Sequence, residues 1–162
     1  MENVLGLLKV RVVKGKNLAV GDFLSSDPYV VVKLANQTVR TRVVKKNLNP
    51  VWDEELTLSV PYPTPPLKLQ VMDKDRFSKD ESLGEADLDL QPLVAAAAKY
   101  DGMNTGKEKQ EIERVLASRD NTFTGDSLIL LAEGNLIQSA GLKLKNAESG
   151  EIEIQLRWVF KS

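Results

Sequence analysis

Two short segments hold most of the side chains that could do chemistry. Gly21-Asp22-Phe23-Leu24-Ser25-Ser26-Asp27 contains two carboxylates, and the stretch from Asp73 to Glu81 contains Asp73, Asp75 and Glu81, with Asp80 as a spare. Each segment abuts a stretch patterned as a strand, so both are expected as loops at sheet ends. If the loops lie side by side, five carboxylates converge. Like charges within a few ångströms repel by on the order of a few kcal/mol even at intermediate dielectric. A divalent cation that takes about 6–8 oxygens relieves this, and two calcium ions would offset about four of the five formal charges. Phe23, Leu24 and Phe77 stand beside these acids, where a plain solvated turn would carry polar side chains.

Composition removes most competing chemistry. The 162 residues include no cysteine and no histidine. A disulfide framework, a thiolate nucleophile, a serine-histidine-acid triad and a cysteine zinc site are therefore excluded, and oxygen ligation, suited to calcium or magnesium, remains. Lysine and arginine total 22 against 23 acids, a net charge of -1, so bulk nucleic-acid binding is not expected and any charge logic is local. The apolar share of 42% is that of a globular chain long enough for one core. Met1 to Val13 lacks the pattern of a secretory signal, no stretch approaches the ~20 apolar residues of a membrane span, and a cytoplasmic protein is expected.

The elements that must position the acids follow from period-two alternation. Leu8, Val10 and Val12 alternate with Lys9 and Arg11; Leu67, Leu69 and Val71 alternate with Lys68 and Gln70; Ile152, Ile154, Leu156 and Trp158 alternate with Glu153, Gln155 and Arg157. Tyr29 to Leu34, Val39 to Val44 and Glu55 to Val60 add further strands, separated by turn chemistry at Asp27-Pro28, Asn49-Pro50 and Pro61 to Pro66. The pattern predicts an all-β sandwich in one domain, residues 1–162. Residues 91–126 read as an insertion with helical segments. Leu93 to Tyr100 is alanine-rich, and Lys107 to Arg119 places Ile112, Val115 and Leu116 on one helical face, expected to cover the sandwich. Strand patterning resumes at Ser127, followed by a hairpin at Gly134-Asn135. Trp52 and Trp158 are expected to pack in the core or at its edge rather than to serve as site residues.

Lys33, Arg40, Arg42, Lys45 and Lys46 lie within one stretch free of acids, with Arg40 and Arg42 on one strand face. Each cation near an anionic surface is worth about 1 kcal/mol, so the cluster suits phospholipid headgroups, although a protein partner could use the same face. Other motifs fail on spacing. An EF-hand from Asp73 requires glycine at Ser78 and glutamate at Gly84, and Gly102 to Gly106 is one residue short of a phosphate loop. Asp73-x-Asp75 lacks the α/β pattern of an aspartyl phosphatase.

Ser26-Asp27-Pro28-Tyr29-Val30, Asn49-Pro50-Val51-Trp52 and Asp73-Lys74-Asp75 through Leu83-Gly84 resemble the C2 domain over about residues 4–90 and again from Glu151 to Phe160. The insertion followed by Asp126-Ser127-Leu128-Ile129 and Ser149-Gly150-Glu151-Ile152-Glu153 is similar to the plant C2-domain abscisic-acid-related proteins and to the C2 portion of plant ARF GTPase-activating proteins. The resemblance implies an eight-stranded antiparallel sandwich that binds calcium between loops and docks on anionic phospholipid membrane. It places side-chain ligands at Asp22, Asp27, Asp73, Asp75 and Glu81 (or Asp80 in the last place) and backbone carbonyls at Gly21 and Lys74. Phe23, Leu24 and Phe77 become an apolar wedge, and Lys33, Arg40, Arg42, Lys45 and Lys46 the lipid-facing cations. It also implies protein partners, namely abscisic-acid receptors and a GTPase, at the plasma membrane, and no autonomous enzyme. Two rival classes remain at this stage: a calcium-independent interaction module using the basic face, and a GTPase-activating protein inserting Arg76, Arg114 or Arg119.

Overall fold

A computed structural model describes residues 4–21, 25–101, 103, 108–118 and 122–160. Ten strands and one helix follow in chain order: β1 (Val4–Lys16), β2 (Pro28–Leu34), β3 (Gln37–Arg40), β4 (Val51–Pro61), β5 (Leu67–Asp73), β6 (Glu81–Leu88), α1 (Gln91–Tyr100), β7 (Gln110–Val115), β8 (Ser127–Ala132), β9 (Asn135–Lys143) and β10 (Glu151–Phe160). A six-stranded sheet, ordered β4-β1-β10-β9-β8-β7, packs on a four-stranded sheet, ordered β3-β2-β5-β6, and neighbouring strands run antiparallel. The all-β sandwich expected from alternation is thus present. It has ten strands among the described residues, where eight were expected.

Alternation becomes burial directly. Leu8, Val10 and Val12 of β1, Leu67, Leu69 and Val71 of β5, and Ile152, Ile154, Leu156 and Trp158 of β10 are all buried in one cluster between the sheets. Trp52, at the start of β4, is fully buried, and its Nε1 donates to the Pro28 carbonyl at 3.1 Å, which ties β4 to the beginning of β2. Both tryptophans are therefore core residues. The hairpin turn lies one residue earlier than expected, at Glu133-Gly134, both at positive φ (51° and 80°), and Asn135 pairs with Ala132 as the first residue of β9. These angles fit a tight primed turn whose twist matches the flanking strands.

Two expectations require correction. The segment Lys107 to Arg119 is not helical where it is described: Gln110–Val115 is β7, at the edge of the six-stranded sheet beside β8. Its register slips between Glu111 and Glu113, leaving Ile112 as an extra, bulged residue. The bulge breaks the period of two, so Ile112 and Val115 both pack on the core at a spacing that imitates a helix turn, while Leu116 beyond the strand is 61% exposed. Only the first part of the insertion is a helix. In α1, Pro92 sits in the first turn, the Gln91 N–H donates to Asp89 Oδ1 at 3.0 Å, and Leu93, Ala96 and Ala97 form the buried face. The second correction concerns Val39 to Val44. Strand β3 ends at Arg40. Buried Thr41 still donates its N–H to the Val30 carbonyl at 2.9 Å, but its Oγ1 stands in for the backbone acceptor, accepting from the Val30 N–H at 2.9 Å and donating to the Arg42 carbonyl at 2.9 Å. Arg40 and Arg42 therefore do not share a strand face.

Candidate functional site

The two acidic loops meet because of strand register. Pro28, the first residue of β2, pairs with Asp73, the last of β5, so the residues just outside those strand ends are forced together. The Asp27 N–H donates to Asp73 Oδ1 at 2.8 Å, and the Lys74 N–H donates to the Asp27 carbonyl at 2.9 Å. Asp73 is 6% exposed. A third loop closes one side: the Lys46 N–H donates to Asp27 Oδ1 at 2.8 Å and the Asn47 N–H to the Ser26 carbonyl at 3.0 Å. Buried Ser26 fastens the first loop to itself, its Oγ accepting from the Gly21 N–H at 2.7 Å and donating to the Ala19 carbonyl at 2.8 Å. Its role was not recognisable in sequence beyond its type as a turn former.

In the second loop Asp75 folds onto its own backbone. Its Oδ1 accepts from the Phe77 N–H at 2.9 Å and its Oδ2 from the Ser78 hydroxyl at 2.8 Å. Asp80 Oδ1 accepts from the Asp75 N–H at 2.9 Å, and Asp80 Oδ2 accepts from the Tyr29 hydroxyl. Those two hydrogen bonds, the Asp75 amide first, hold the Asp80 carboxyl below the usual carboxylate range. Burial, then Asp80, pushes the Tyr29 phenol up. Glu81 is exposed, opposite Asp73 in the β5–β6 pair. Asp22, Phe23 and Leu24 lie outside the described residues.

Among the described residues, no group of three or more carboxylates stands close enough to form a metal site unaided. Asp27 and Asp73 are brought together, while Asp75 is turned toward donors of its own loop and Asp80 toward the Asp75 N–H and the Tyr29 hydroxyl of β2. The donors are nonetheless all oxygens, the set a hard cation such as calcium takes. Asp27 and Asp73 each commit Oδ1 to a backbone N–H, which leaves Oδ2 for a further partner. Gly21 supplies the close approach: a Cβ there would collide with Asp73 Oδ2. The residues present therefore fit such an ion. Gly21→Ala is expected to displace the Asp73 carboxylate. Overpacking of this kind costs about 1–3 kcal/mol, or roughly tenfold in calcium affinity by calorimetry. An unchanged isotherm would count against Gly21 as part of the cradle.

The three loops line a cleft of about 520 Å³, bordered by Asp27, Asp73 and Asp75 and by Lys45, Lys46, Lys74 and Arg76. Phe77, at its rim, is 94% exposed. Acid-rich loops joined at one end of an antiparallel sandwich agree with the sequence profile of the C2 domain, which matches residues 6–106. The chain belongs to the C2-domain family. The C2-DOMAIN ABA-RELATED 2 protein of Arabidopsis thaliana is 46% identical over 159 residues, 98% of this chain and 91% of the relative. A probable ADP-ribosylation factor GTPase-activating protein from the same plant is also 46% identical over 98% of this chain, which spans only 47% of that relative. In structure, the calcium-bound pair of C2 domains from Extended-Synaptotagmin 2 superposes with a TM-score of 0.64 at 21% identity, over 99% of this chain and 48% of that one. That last likeness is one of fold.

In this C2 domain the basic residues divide into three places. Lys45 and Lys46 stand at the loop cleft. Lys33 lines a separate depression of about 230 Å³ with Lys68 and Lys145 on the four-stranded sheet, and Arg40 stands 5.3 Å over the Tyr29 ring. Arg42 turns toward β4, its N–H donating to Glu54 Oε1 at 2.9 Å and its guanidinium 3.6 Å from the same oxygen. Lys68 and Lys145 were not singled out in sequence. Lys68 comes opposite Lys33 through the β2–β5 register, and Lys145 arrives through a bridge to Glu85. The first had a signal in its alternation with Leu67 and Leu69; the second had none.

Proposed function

We propose that the chain is a calcium-dependent module that docks on anionic phospholipid membranes and brings signalling proteins to them. The observation that carries this reading is the meeting of Asp27 and Asp73 at the sandwich end that also presents Phe77, Lys45 and Lys46. Asp22, Asp27, Asp73, Asp75 and Glu81, with the Gly21 and Lys74 carbonyls, are the proposed ligands for two ions. Bound calcium supplies positive charge at the loop tips. The residues do the rest: carboxylates that would repel anionic lipid are neutralised, Lys45 and Lys46 approach phosphate, and Phe77, with Phe23 and Leu24, enters the interface. Lys33 and Arg40 extend the lipid contact along the sheet, and Arg42 contributes less because Glu54 engages it. Sedimentation with phosphatidylserine vesicles, with calcium and with chelator, tests the proposal; equal binding in the two conditions would contradict it.

Complete burial of a phenylalanine side chain is worth about 1.5–3 kcal/mol. Phe77→Ala is therefore expected to weaken vesicle binding roughly tenfold to a hundredfold, while calcium binding in solution changes little. Equal loss of both would remove the wedge role.

The relatives' names, one ABA-related and one a GTPase-activating protein, support protein partners in abscisic-acid signalling and a GTPase; the plasma membrane is the proposed place of those contacts. The insertion is the proposed contact, and deleting residues 101–120 without loss of partner binding would count against it. Of the arginines nominated for GTPase activation, Arg76 borders the open cleft, whereas Arg114 is held by Glu111 at 3.0 Å and Asp126 at 3.4 Å. Arg119 lies outside the described residues. Stimulated GTP hydrolysis that vanishes in Arg76→Ala would favour that second reading; the chain itself is proposed to act by binding.

A further inference from the structure

Asp80 has the charge of a ligand without the freedom of one. Its side chain is 16% exposed, and its two oxygens meet three donors: the Asp75 N–H, the Tyr29 hydroxyl and, at 3.7 Å, Lys74 Nζ. Tyr29 cannot follow a moving loop, because it is a buried residue of β2, paired with Met72 and covered by the Arg40 guanidinium. Turning Asp80 toward a cation would leave a buried phenol and a loop amide without their acceptor, which the desolvation of those groups opposes. Glu81, by contrast, is exposed and stands opposite Asp73.

We infer that Asp80 is a positioning residue: together with Tyr29 it pins the loop backbone at Asp75 to strand β2, and Glu81 is the last ligand. The inference rests on the calcium reading for what the pinned loop does, while the pinning itself stands on hydrogen bonds within the chain. A loop fixed before an ion arrives loses less conformational freedom when it binds.

The test uses the full chain and two readouts. Amide hydrogen exchange in chelator reports the pin, and calcium calorimetry reports its consequence. A hydrogen bond of ordinary net strength corresponds to about a fivefold change, so Tyr29→Phe is expected to speed exchange at the Asp75 amide about fivefold while core strand amides stay protected. The same variant should weaken calcium binding by a similar factor without changing the number of ions. Asp80→Ala, which removes both acceptors and is a second route should Tyr29→Phe fold poorly, is expected to act likewise, whereas Glu81→Gln should lose binding of one ion and leave Asp75 exchange unchanged. Wild-type exchange at Asp75 in both brace variants overturns the inference. So does equal acceleration of every amide, or loss of an ion in Asp80→Ala but not in Glu81→Gln. Should the wild-type protein take up no calcium, the proposed function fails, and the exchange readout still decides whether the brace exists.

Discussion

Replacing Asp22 and Asp73 together by asparagine is expected to abolish calcium-dependent sedimentation with phosphatidylserine vesicles. Two unit charges 4 Å apart interact by about 4 kcal/mol at an effective dielectric of about 20, and about 1.4 kcal/mol is tenfold in affinity. Each proposed ligand charge lost therefore weakens calcium binding by up to on the order of a thousandfold. The fold should tolerate the Asp73 change, because an asparagine oxygen can still accept from the Asp27 N–H. The same double change makes the loop end less negative, so vesicle binding in chelator should stay level or rise. Only the increment due to calcium should vanish. Wild-type calcium dependence in the double variant would show that these loops are not the switch.

Trp52→Ala is expected to cause the largest loss of stability. Trp52 is fully buried at the head of β4, where it lies under Gly15 of β1, and its indole N–H donates to the Pro28 carbonyl. Truncating a buried tryptophan costs about 3–5 kcal/mol through lost burial and the cavity left behind. In a domain of this size, each kcal/mol lowers the melting temperature by about 2–4 °C, so a fall of roughly 6–20 °C is expected. The Pro28 carbonyl, one residue from Asp27, would also lose one of its two donors and keep the Val44 N–H at 3.0 Å, which couples the core to the site. Trp52→Phe keeps most of the burial and should lose less. Calorimetric unfolding checks both; a loss under about 1 kcal/mol in the alanine variant would show a core able to collapse around the gap.

The positions of the acidic loops were legible because each lies directly outside a strand marked by alternation, and strand register does the rest. Pro28 opposite Asp73 is sufficient to join Asp27 to Asp73. The insertion was half legible. Leu93, Ala96 and Ala97 sit at true helical spacing, but the bulge at Ile112 gives strand β7 the apolar spacing of a helix, and only pairing with β8 distinguishes the two. The end of β3 was hidden because Thr41 keeps a strand residue's N–H bond to Val30 while its hydroxyl takes the place of the backbone acceptor. Spacing could not separate Asp80 from Glu81. The difference lies in a phenol that reaches Asp80 from a strand 51 residues away. The basic stretch was legible as charge and not as a surface, since its members face a cleft, a sheet and a neighbouring strand.

Calcium and anionic lipid are proposed to share one site at the loop end. Isothermal calorimetry of calcium into chelator-treated protein, repeated with phosphatidylserine vesicles present, tests it most directly. Calcium binding that tightens when vesicles are added is the predicted result, because lipid phosphate and loop carboxylates would complete the same coordination. Absence of calcium heat, with vesicle binding indifferent to the ion, would contradict the claim and shift the function to the basic face and a constitutive protein partner.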